Sequence, residues 1–310
     1  MKKIIVAISA VLLSAGILAA QDLKQATDLY NNGATALSTG DKAGALTYFQ
    51  QALSIAQSLS DDAAKEFAAK LTDLIPNVNL GIAKDLAKAG DFDAAVTKLE
   101  EVKKMAAEYK AEEALKDATE LLPQIMMQKG NALIKAKDFA AAADVFKAIL
   151  ASDATNGMAS LRLGMALAGA GDVDGAVEAY KAAAANGQEK NANTQISKLF
   201  LKKAAACLKA KDFKGAVAAA LESNNYVESA QAYQIAGQSS QILKKNDDAV
   251  KYFEKYLEMA PTASNAGQIA YTVGALYQQM GNKAKAKAFY QKASSDPKLG
   301  AEAAKLAASL

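Results

Sequence analysis

One spacing of small and large apolar residues recurs seven times along this 310-residue chain. Each copy has an Ala with a Gly or Ala twelve residues before it and, in six copies, a large apolar residue four residues after it. Small residues allow two helix backbones to approach closely, and we expect the large residue to fill the space between one helix pair and the next. The spacing therefore predicts seven pairs of packed antiparallel helices. The seven Ala residues are Ala45, Ala95, Ala142, Ala176, Ala216, Ala249 and Ala286.

A short polar phrase joins the two helices of each pair. It reads KAGDFDAAV at 88–96, and related forms stand at 135–143 and 209–217. Its Gly can adopt the left-handed conformation that ends a helix, and its first Asp can cap the N–H groups of the next helix. Asp91 and Asp93 could by themselves be ligands of a cation, but only the first Asp recurs widely, which favours a helix cap. Lys137, Lys211 and Lys244 replace the Gly, at a cost of about 1 kcal/mol each if their φ is positive.

The recurring unit resembles the tetratricopeptide repeat, a helix-turn-helix unit of about 34 residues. The units start near residues 26, 76, 123, 157, 197, 230 and 267, and Pro261 closes the sixth. Successive Ala residues of the pattern are 50, 47, 34, 40, 33 and 37 residues apart, so only one step equals the family period. We therefore expect longer helices in the first two units, one of them over residues 58–78. Other residues replace the Trp of the family pattern throughout.

The resemblance implies an all-α fold, a right-handed superhelical solenoid of about seven tetratricopeptide-like helical hairpins. A solenoid needs a terminal element that covers its last open face. The segment DPKLGAEAAKLAASL at 296–310 predicts such a C-terminal capping helix. We divide the chain into a cleaved signal peptide at 1–20, long irregular hairpins at 21–122, and a more regular array with its capping helix at 123–310.

The N-terminal segment has the pattern of a secretory signal peptide. Two Lys residues precede an apolar stretch over 4–18, and small residues at 19–20 precede the polar Gln21. Leu18 fits the cleavage rule imperfectly, so an uncleaved anchor is the alternative, although the stretch is short for a membrane span. The pattern predicts export across the inner membrane of a bacterium, to the periplasm or the outer envelope.

The composition disfavours several kinds of chemistry. The chain has no His and one Cys, so it lacks the usual general base and the commonest metal ligand and has no internal disulfide. The net charge is +3 and Arg162 is the only Arg, which disfavours nucleic-acid binding. Adjacent carboxylates such as Asp61 and Asp62 point about 100° apart on a helix, so capping explains them better than acid–base catalysis. We therefore expect no cofactor, no metal and no enzymatic activity.

The resemblance also implies a concave groove lined by the first helix of each unit, where family members bind peptide or protein segments. The groove positions carry Met, amide and aromatic side chains, which suit hydrogen bonds to the backbone of an extended partner. Gln is also a good helix former on an exposed face, so these residues have a purely structural explanation as well. The candidate groove residues are Met127, Asn131 and Lys135 in unit three, Leu161 and Met165 in unit four, Gln231, Gln234, Gln238 and Gln241 in unit six, and Tyr271 and Gln278 in unit seven.

Three functions are compatible with these features. The leading interpretation is a non-catalytic scaffold of the bacterial cell envelope that binds a protein or peptide partner in the groove. The second is a structural factor that self-associates, as a homo-oligomer, to assemble an envelope complex. The third is glycan binding, which would use exposed aromatic rings; the chain has no Trp, and Tyr271 and Tyr277 are its candidates. After removal of the signal peptide, the sequence predicts no membrane span.

Overall fold

The computed structural model describes the backbone of residues 17–310 and the side chains from residue 21 onward. The signal peptide predicted at 1–20 lies outside the residues whose side chains are described. Within 17–310 the fold is all-α, with no strand and with one π-helical turn at 184–188. The helices are α1 (Ile17–Ser38), α2 (Lys42–Ser58), α3 (Asp62–Ala89), α4 (Phe92–Tyr109), α5 (Glu112–Ala136), α6 (Phe139–Ser152), α7 (Gly157–Ala170), α8 (Val173–Ala183), α9 (Glu189–Lys209), α10 (Phe213–Tyr226), α11 (Ala230–Ile242), α12 (Asn246–Met259), α13 (Ala266–Gln279), α14 (Lys283–Ala293) and α15 (Gly300–Ser309).

Consecutive helices pack in pairs, from α1 with α2 to α13 with α14. We call the members of each pair the first helix and the second helix. Their seven small residues and seven Ala residues lie where the sequence spacing places them, so the predicted series of helical hairpins is confirmed. The last helix, α15, packs on α14, and its Ala303 and Ala307 are buried in one core with Phe289 and Tyr290. The predicted capping helix is therefore confirmed too.

The turns between paired helices have the expected backbone geometry. Gly90 ends α3 with a φ of 84°, and the Asp91 carboxylate accepts a hydrogen bond from the Ala94 backbone N–H at 3.1 Å. The Lys residues that replace the Gly adopt the same left-handed conformation, with φ of 64° at Lys137, 61° at Lys211 and 58° at Lys244. The other capping Asp residues that accept such a bond are Asp41, Asp138, Asp172 and Asp212.

In five of the seven repeats the large residue packs inside its own hairpin, so the prediction that it fills the space between hairpins is incomplete. In α5 and α6, a Cβ placed on Gly130 would lie only 2.4 Å from the Phe146 ring. The same contact joins four further glycines to a ring on the paired second helix. These pairs are Gly33 with Phe49, Gly164 with Tyr180, Gly237 with Phe253 and Gly274 with Tyr290. The ring thus takes the volume that the missing side chain of the Gly leaves free.

Two of the first helices are long and contain a proline. The extended helix expected over 58–78 is α3, which begins at Asp62 and continues to Ala89. Pro76 in α3 and Pro123 in α5 cannot donate a backbone hydrogen bond, which weakens the helix at that turn. The side-chain amide of the following residue donates to a carbonyl of the same turn in both helices. Asn77 donates to the Asp73 carbonyl at 2.9 Å and Gln124 to the Glu120 carbonyl at 3.1 Å.

The described residues form two compact units, which divide between residues 154 and 155. We call them the N-terminal unit and the C-terminal unit. The boundary that we drew from repeat length, at residue 122, falls inside α5. Its Ile125 shares one core with Leu80 of α3 and Leu99 of α4, so α5 packs with the longer hairpins before it.

Candidate partner-binding groove

The C-terminal unit has four first helices, α7, α9, α11 and α13. Of these, α9 contacts both α7 and α11. Each buries the face that carries its small residue against the paired second helix. In α11, for example, Ile235 and Ala236 are buried, and Gly237 lies against Phe253. The opposite face of these helices is therefore the one available to a partner.

The open face of α11 carries four amide side chains and no charge. Gln231 and Gln241 are exposed, and Gln234 and Gln238 are half-buried. These four positions follow a spacing of three or four residues, which places them along one helix face. Within the described part of the chain, none of the four side chains takes part in a hydrogen bond between side chains or with the backbone. Their donors and acceptors are thus free for another molecule.

The candidate residues of α13 are partly engaged with the second helix α14. The Tyr271 ring packs edge-on against Tyr290, with 5.4 Å between the ring centroids. The Tyr290 hydroxyl donates a hydrogen bond to the Gln278 side-chain carbonyl at 2.8 Å. Tyr277, the second aromatic candidate for glycan contact, is 5% exposed and donates its hydroxyl proton to Glu254. Neither Tyr271 nor Tyr277 offers a fully exposed ring face.

The candidate residues of α7 lie deeper than a groove surface. Leu161 is 7% exposed and belongs to the core cluster that contains Tyr180. Met165 is half-buried, and its sulfur accepts a contact from Arg162 Nη1 at 3.4 Å. The polar residue of α7 beside Leu161 is Arg162, which is half-buried. The sequence shows that Arg162 is the single Arg of the chain, but it does not predict the contact with Met165.

The candidate residues of α5 belong to the N-terminal unit. Met127 is half-buried, while Asn131 and Lys135 are exposed on the same helix. Their spacing of four residues places them along one face. Lys135 also lies in the last turn of α5, where a positive charge is favourable beside the free carbonyl groups.

Helix α9 carries none of the candidate groove residues, and a basic stripe lies there. Lys198, Lys202 and Lys209 are exposed. Their spacing of four and seven residues places them on one face. This face is opposite to Ala204, which is buried in the core with Ala216 and Ala220 of α10. Aligning the repeat positions of α9 with those of α7 would predict this stripe from the sequence.

Charge is divided unequally between the two sets of helices in the C-terminal unit. The first helices carry one acidic residue, Glu189 at the start of α9. Every ion pair found among the described residues of this unit involves second helices alone. These pairs are Lys181 with Glu178 at 2.9 Å, Lys255 with Glu258 at 2.8 Å and Lys285 with Glu254 at 3.8 Å. The cations of the first helices therefore have no carboxylate partner within the described chain.

A crevice of about 400 Å³ lies among α12, α13 and α14. Its wall includes Leu257, Phe289 and the two carboxylates Glu254 and Glu258. Both carboxylates already contact a Lys, as given above, and the Lys292 ammonium lies 4.6 Å from the centre of the Phe289 ring. The crevice thus offers a small polar surface whose charges are balanced.

Three further properties of the described residues bear on function: metal binding, membrane spanning and the pKa of ionisable groups. No group of three or more Asp, Glu, His or Cys side chains is placed to hold a metal ion within residues 17–310. Among these same residues, no helix is long and apolar enough to cross a membrane. Burial raises the pKa of Tyr180 to about 12, and burial together with the hydrogen bond to Glu254 raises the pKa of Tyr277. Both phenols therefore resist ionisation to a higher pH than an exposed Tyr does.

Several solved structures are similar to this chain, at low identity. A crystal structure of MamA protein is 20% identical, with 58% of this chain and 94% of that chain covered and a TM-score of 0.36. PilF of Pseudomonas aeruginosa is 19% identical, with 59% and 80% covered and a TM-score of 0.31. YrrB, described as a TPR protein with an unusual peptide-binding site, is 20% identical, with 58% and 91% covered and a TM-score of 0.33. A comparison with curated proteins gives no match.

Sequence models of a repeat family give the decisive comparison. One tetratricopeptide repeat model matches residues 80–156 and 127–191. A second matches residues 230–262 and 267–295. The matched segments together cover more than half of the chain. They run from the last third of α3 to the start of α9 and over the hairpins from α11 to α14. The chain belongs to the tetratricopeptide repeat family.

Proposed function

We propose that this protein is a non-catalytic scaffold of the bacterial cell envelope, which binds an extended segment of a protein partner along the open face of its first helices. The observation that carries the proposal is the face of α11. Four Gln side chains lie there in line, without charge and without hydrogen bonds inside the described chain. Amide side chains both donate and accept, so such a row suits the backbone of an extended peptide, whose N–H and C=O groups alternate along its length.

Site-specific photocrosslinking in the native cell tests the groove. A photoreactive amino acid is placed at Gln231 or Gln278, on the open faces of α11 and α13. Matched controls carry it at the exposed Lys214 or Lys287, on the second helices α10 and α14. We expect protein adducts of the same mass from the two first-helix positions and none from the controls. Equal adducts from all four positions, or adducts from the second helices alone, would contradict the proposal.

Self-association is one outcome of the same experiment. An adduct with twice the mass of the chain, formed from Gln231 or Gln278, would show that the open face binds a second copy. The scaffold proposal in its present form would then be replaced by the assembly role.

The envelope location rests on the N-terminal pattern of two Lys residues, an apolar stretch and small residues. We infer cleavage after Ala20, which would leave Gln21 as the first residue of the exported protein. Cell fractionation followed by N-terminal sequencing tests this inference. Recovery of the protein from the periplasm with Gln21 at its N-terminus is the expected result. Recovery from the cytoplasm with residues 1–20 intact would contradict the envelope location while leaving the groove proposal unaffected.

A further inference from the structure

We propose that the segment bound across α7 and α9 is acidic, so that the partner of this protein carries a run of Asp or Glu residues. The inference rests on the proposed function, since it names the chemistry of the partner in the same groove. Its basis is the unequal division of charge in the C-terminal unit. Cations without an ion pair in the described chain lie on the neighbouring helices α7 and α9, and Glu189 is the one carboxylate that these two helices carry.

Arg162 is the first element of this surface. Its Nη1 contacts the Met165 sulfur, a weak acceptor, and its Nε is buried without an acceptor in the described chain. A guanidinium has five N–H donors, and leaving such donors unsatisfied costs free energy. A carboxylate is the group that best matches the planar fork of Arg, through two parallel hydrogen bonds. The Arg162 guanidinium can therefore bind an acidic side chain of a partner, since no carboxylate of the described chain pairs with it.

The Lys residues of α9 extend the cationic surface. Lys202 lies at the position in α9 that corresponds to Arg162 in α7, because both stand fourteen residues before the Ala of their repeats, Ala216 and Ala176. Lys198 lies one turn earlier on the same face. Neither Lys has an ion pair within residues 155–310. Since α7 and α9 are neighbours, the three cations lie on adjoining helices, with Arg162 and Lys202 at the same repeat position and Lys198 one turn before it.

The neighbouring first helices support the same assignment. In α11 the exposed Gln231 takes the place of Lys198, and in α13 the exposed Gln268 does so. Neither α11 nor α13 contains a charged residue. An acidic segment that continues past α9 would therefore meet amide groups and no carboxylate. The surface has no element that would repel Asp or Glu, except Glu189 at the start of α9.

Peptide binding to the full chain tests the proposal. Two fluorescently labelled peptides of equal length, one of alternating Glu and Gln and one of Gln and Ser, are compared by fluorescence anisotropy. We expect the acidic peptide to bind more than about tenfold more tightly. We also expect its affinity to fall when NaCl is raised from about 50 mM to about 500 mM, because salt screens exposed charges.

A charge-matched pair of variants locates the site. The groove variant combines Arg162→Gln, Lys198→Gln and Lys202→Gln. The control variant combines Lys214→Gln, Lys251→Gln and Lys287→Gln, three exposed second-helix cations without an ion pair in the described chain. We expect the groove variant to lose more than about tenfold in affinity for the acidic peptide and the control to lose less than about twofold. Circular dichroism and the thermal midpoint of each variant show that it is folded.

The outcomes separate this inference from the proposed function. Equal losses in both variants, or no preference for the acidic peptide, would overturn the acidic-segment inference. Stronger binding of single-stranded RNA or of vesicles rich in phosphatidylserine, lost in the groove variant alone, would also overturn it. A native partner that crosslinks to Gln231 through a neutral or basic segment would leave the scaffold function standing and refute only the acidic chemistry.

Discussion

The ring of Phe146 occupies the place that a side chain on Gly130 would need. An ideal Cβ on Gly130 would lie 2.4 Å from Phe146 Cζ, closer than two carbon atoms can approach. Two repeats have Ala at the position of this Gly, and neither has a ring at the position that corresponds to Phe146. Ala83 is matched with Leu99, and Ala204 with Ala220. Six of the seven hairpins thus combine a small residue with a large one, so that their summed volume stays close to constant. The hairpin of α9 and α10, with Ala at both positions, is the exception.

Substitution Gly130→Ala is therefore expected to destabilise the protein, although Ala is the better helix former. Overpacking costs about 1–3 kcal/mol and the gain in helix propensity is about 1 kcal/mol, so we expect a net loss of about 1 kcal/mol. Urea unfolding followed by circular dichroism measures it. The double variant Gly130→Ala/Phe146→Leu reproduces the natural Ala83 and Leu99 combination. It should be more stable than the sum of the single changes by about 1 kcal/mol.

Gly81→Ala supplies the control. This glycine also lies inside a helix, but its nearest foreign atom is Lys42 Cε at 3.3 Å, the flexible end of a side chain. We expect Gly81→Ala to leave stability unchanged or to raise it. A destabilisation by Gly81→Ala as large as that by Gly130→Ala would refute the steric explanation.

The volume match shows how much of the fold the sequence contains. The spacing of Gly130, Ala142 and Phe146 predicts which residues meet, because a helical hairpin with a short turn allows only one register. The spacing does not predict whether the ring packs inside its own hairpin or against the next hairpin, since a ring between helices can pack in either direction. The positive φ of Lys110, between α4 and α5, was not predicted either. It lies between two hairpins, where the recurring phrase is absent.

Replacement of Lys137 by Gly is expected to stabilise the protein by about 1 kcal/mol, because a left-handed backbone strains every residue with a Cβ. The φ of Lys137 is 64°. The midpoint of urea unfolding measures the change. Lys135→Gly, two residues earlier and inside α5, is the matched control, and it should destabilise by about 1 kcal/mol. Equal effects at both positions would show that backbone strain at residue 137 is not the cause.

Lys245→Asp should add a helix cap that the sixth repeat lacks. The residue before α12 is Lys245, and its φ of −92° and ψ of 75° are close to those of the capping Asp138. No side chain caps α12, so an Asp at 245 could accept the backbone N–H that Asp138 accepts in its own repeat. We expect a gain of about 1 kcal/mol in the free energy of unfolding. Lys245→Ala removes the same charge without an acceptor and should give less than half of that gain.

The candidate groove could be predicted from the sequence only in part. The repeat register predicts Gln231 and Gln234 on one face of α11, and their role in binding a partner stays a prediction. The register does not predict that Leu161 is buried in the core with Tyr180. The position in a repeat indicates the helix face, but the burial of a side chain also depends on the neighbouring helices. The absence of ion pairs around Arg162 also depends on side-chain placement, which the spacing of residues does not contain.

The pKa of Tyr180 gives a prediction for alkaline pH. Burial raises this pKa to about 12, whereas a Tyr in an unfolded chain titrates near 10. Below pH 10 the phenol keeps its proton in both states, and its contribution to stability is fully present. Between pH 10 and 12 the unfolded chain loses the proton first, so the free energy of unfolding falls as pH rises.

Tyr180→Phe keeps the ring that packs on Gly164 and removes the titrating group. We expect the variant and the parent protein to differ little at pH 8, and the variant to lose about 1 kcal/mol less than the parent between pH 8 and pH 11. Urea unfolding at the two pH values measures this difference. Tyr48→Phe, at an exposed position of α2, is the control and should follow the parent at both pH values. If Tyr180→Phe also follows the parent at pH 11, the phenol of Tyr180 is not held neutral by burial, since a buried phenol must oppose the ionisation that unfolding permits.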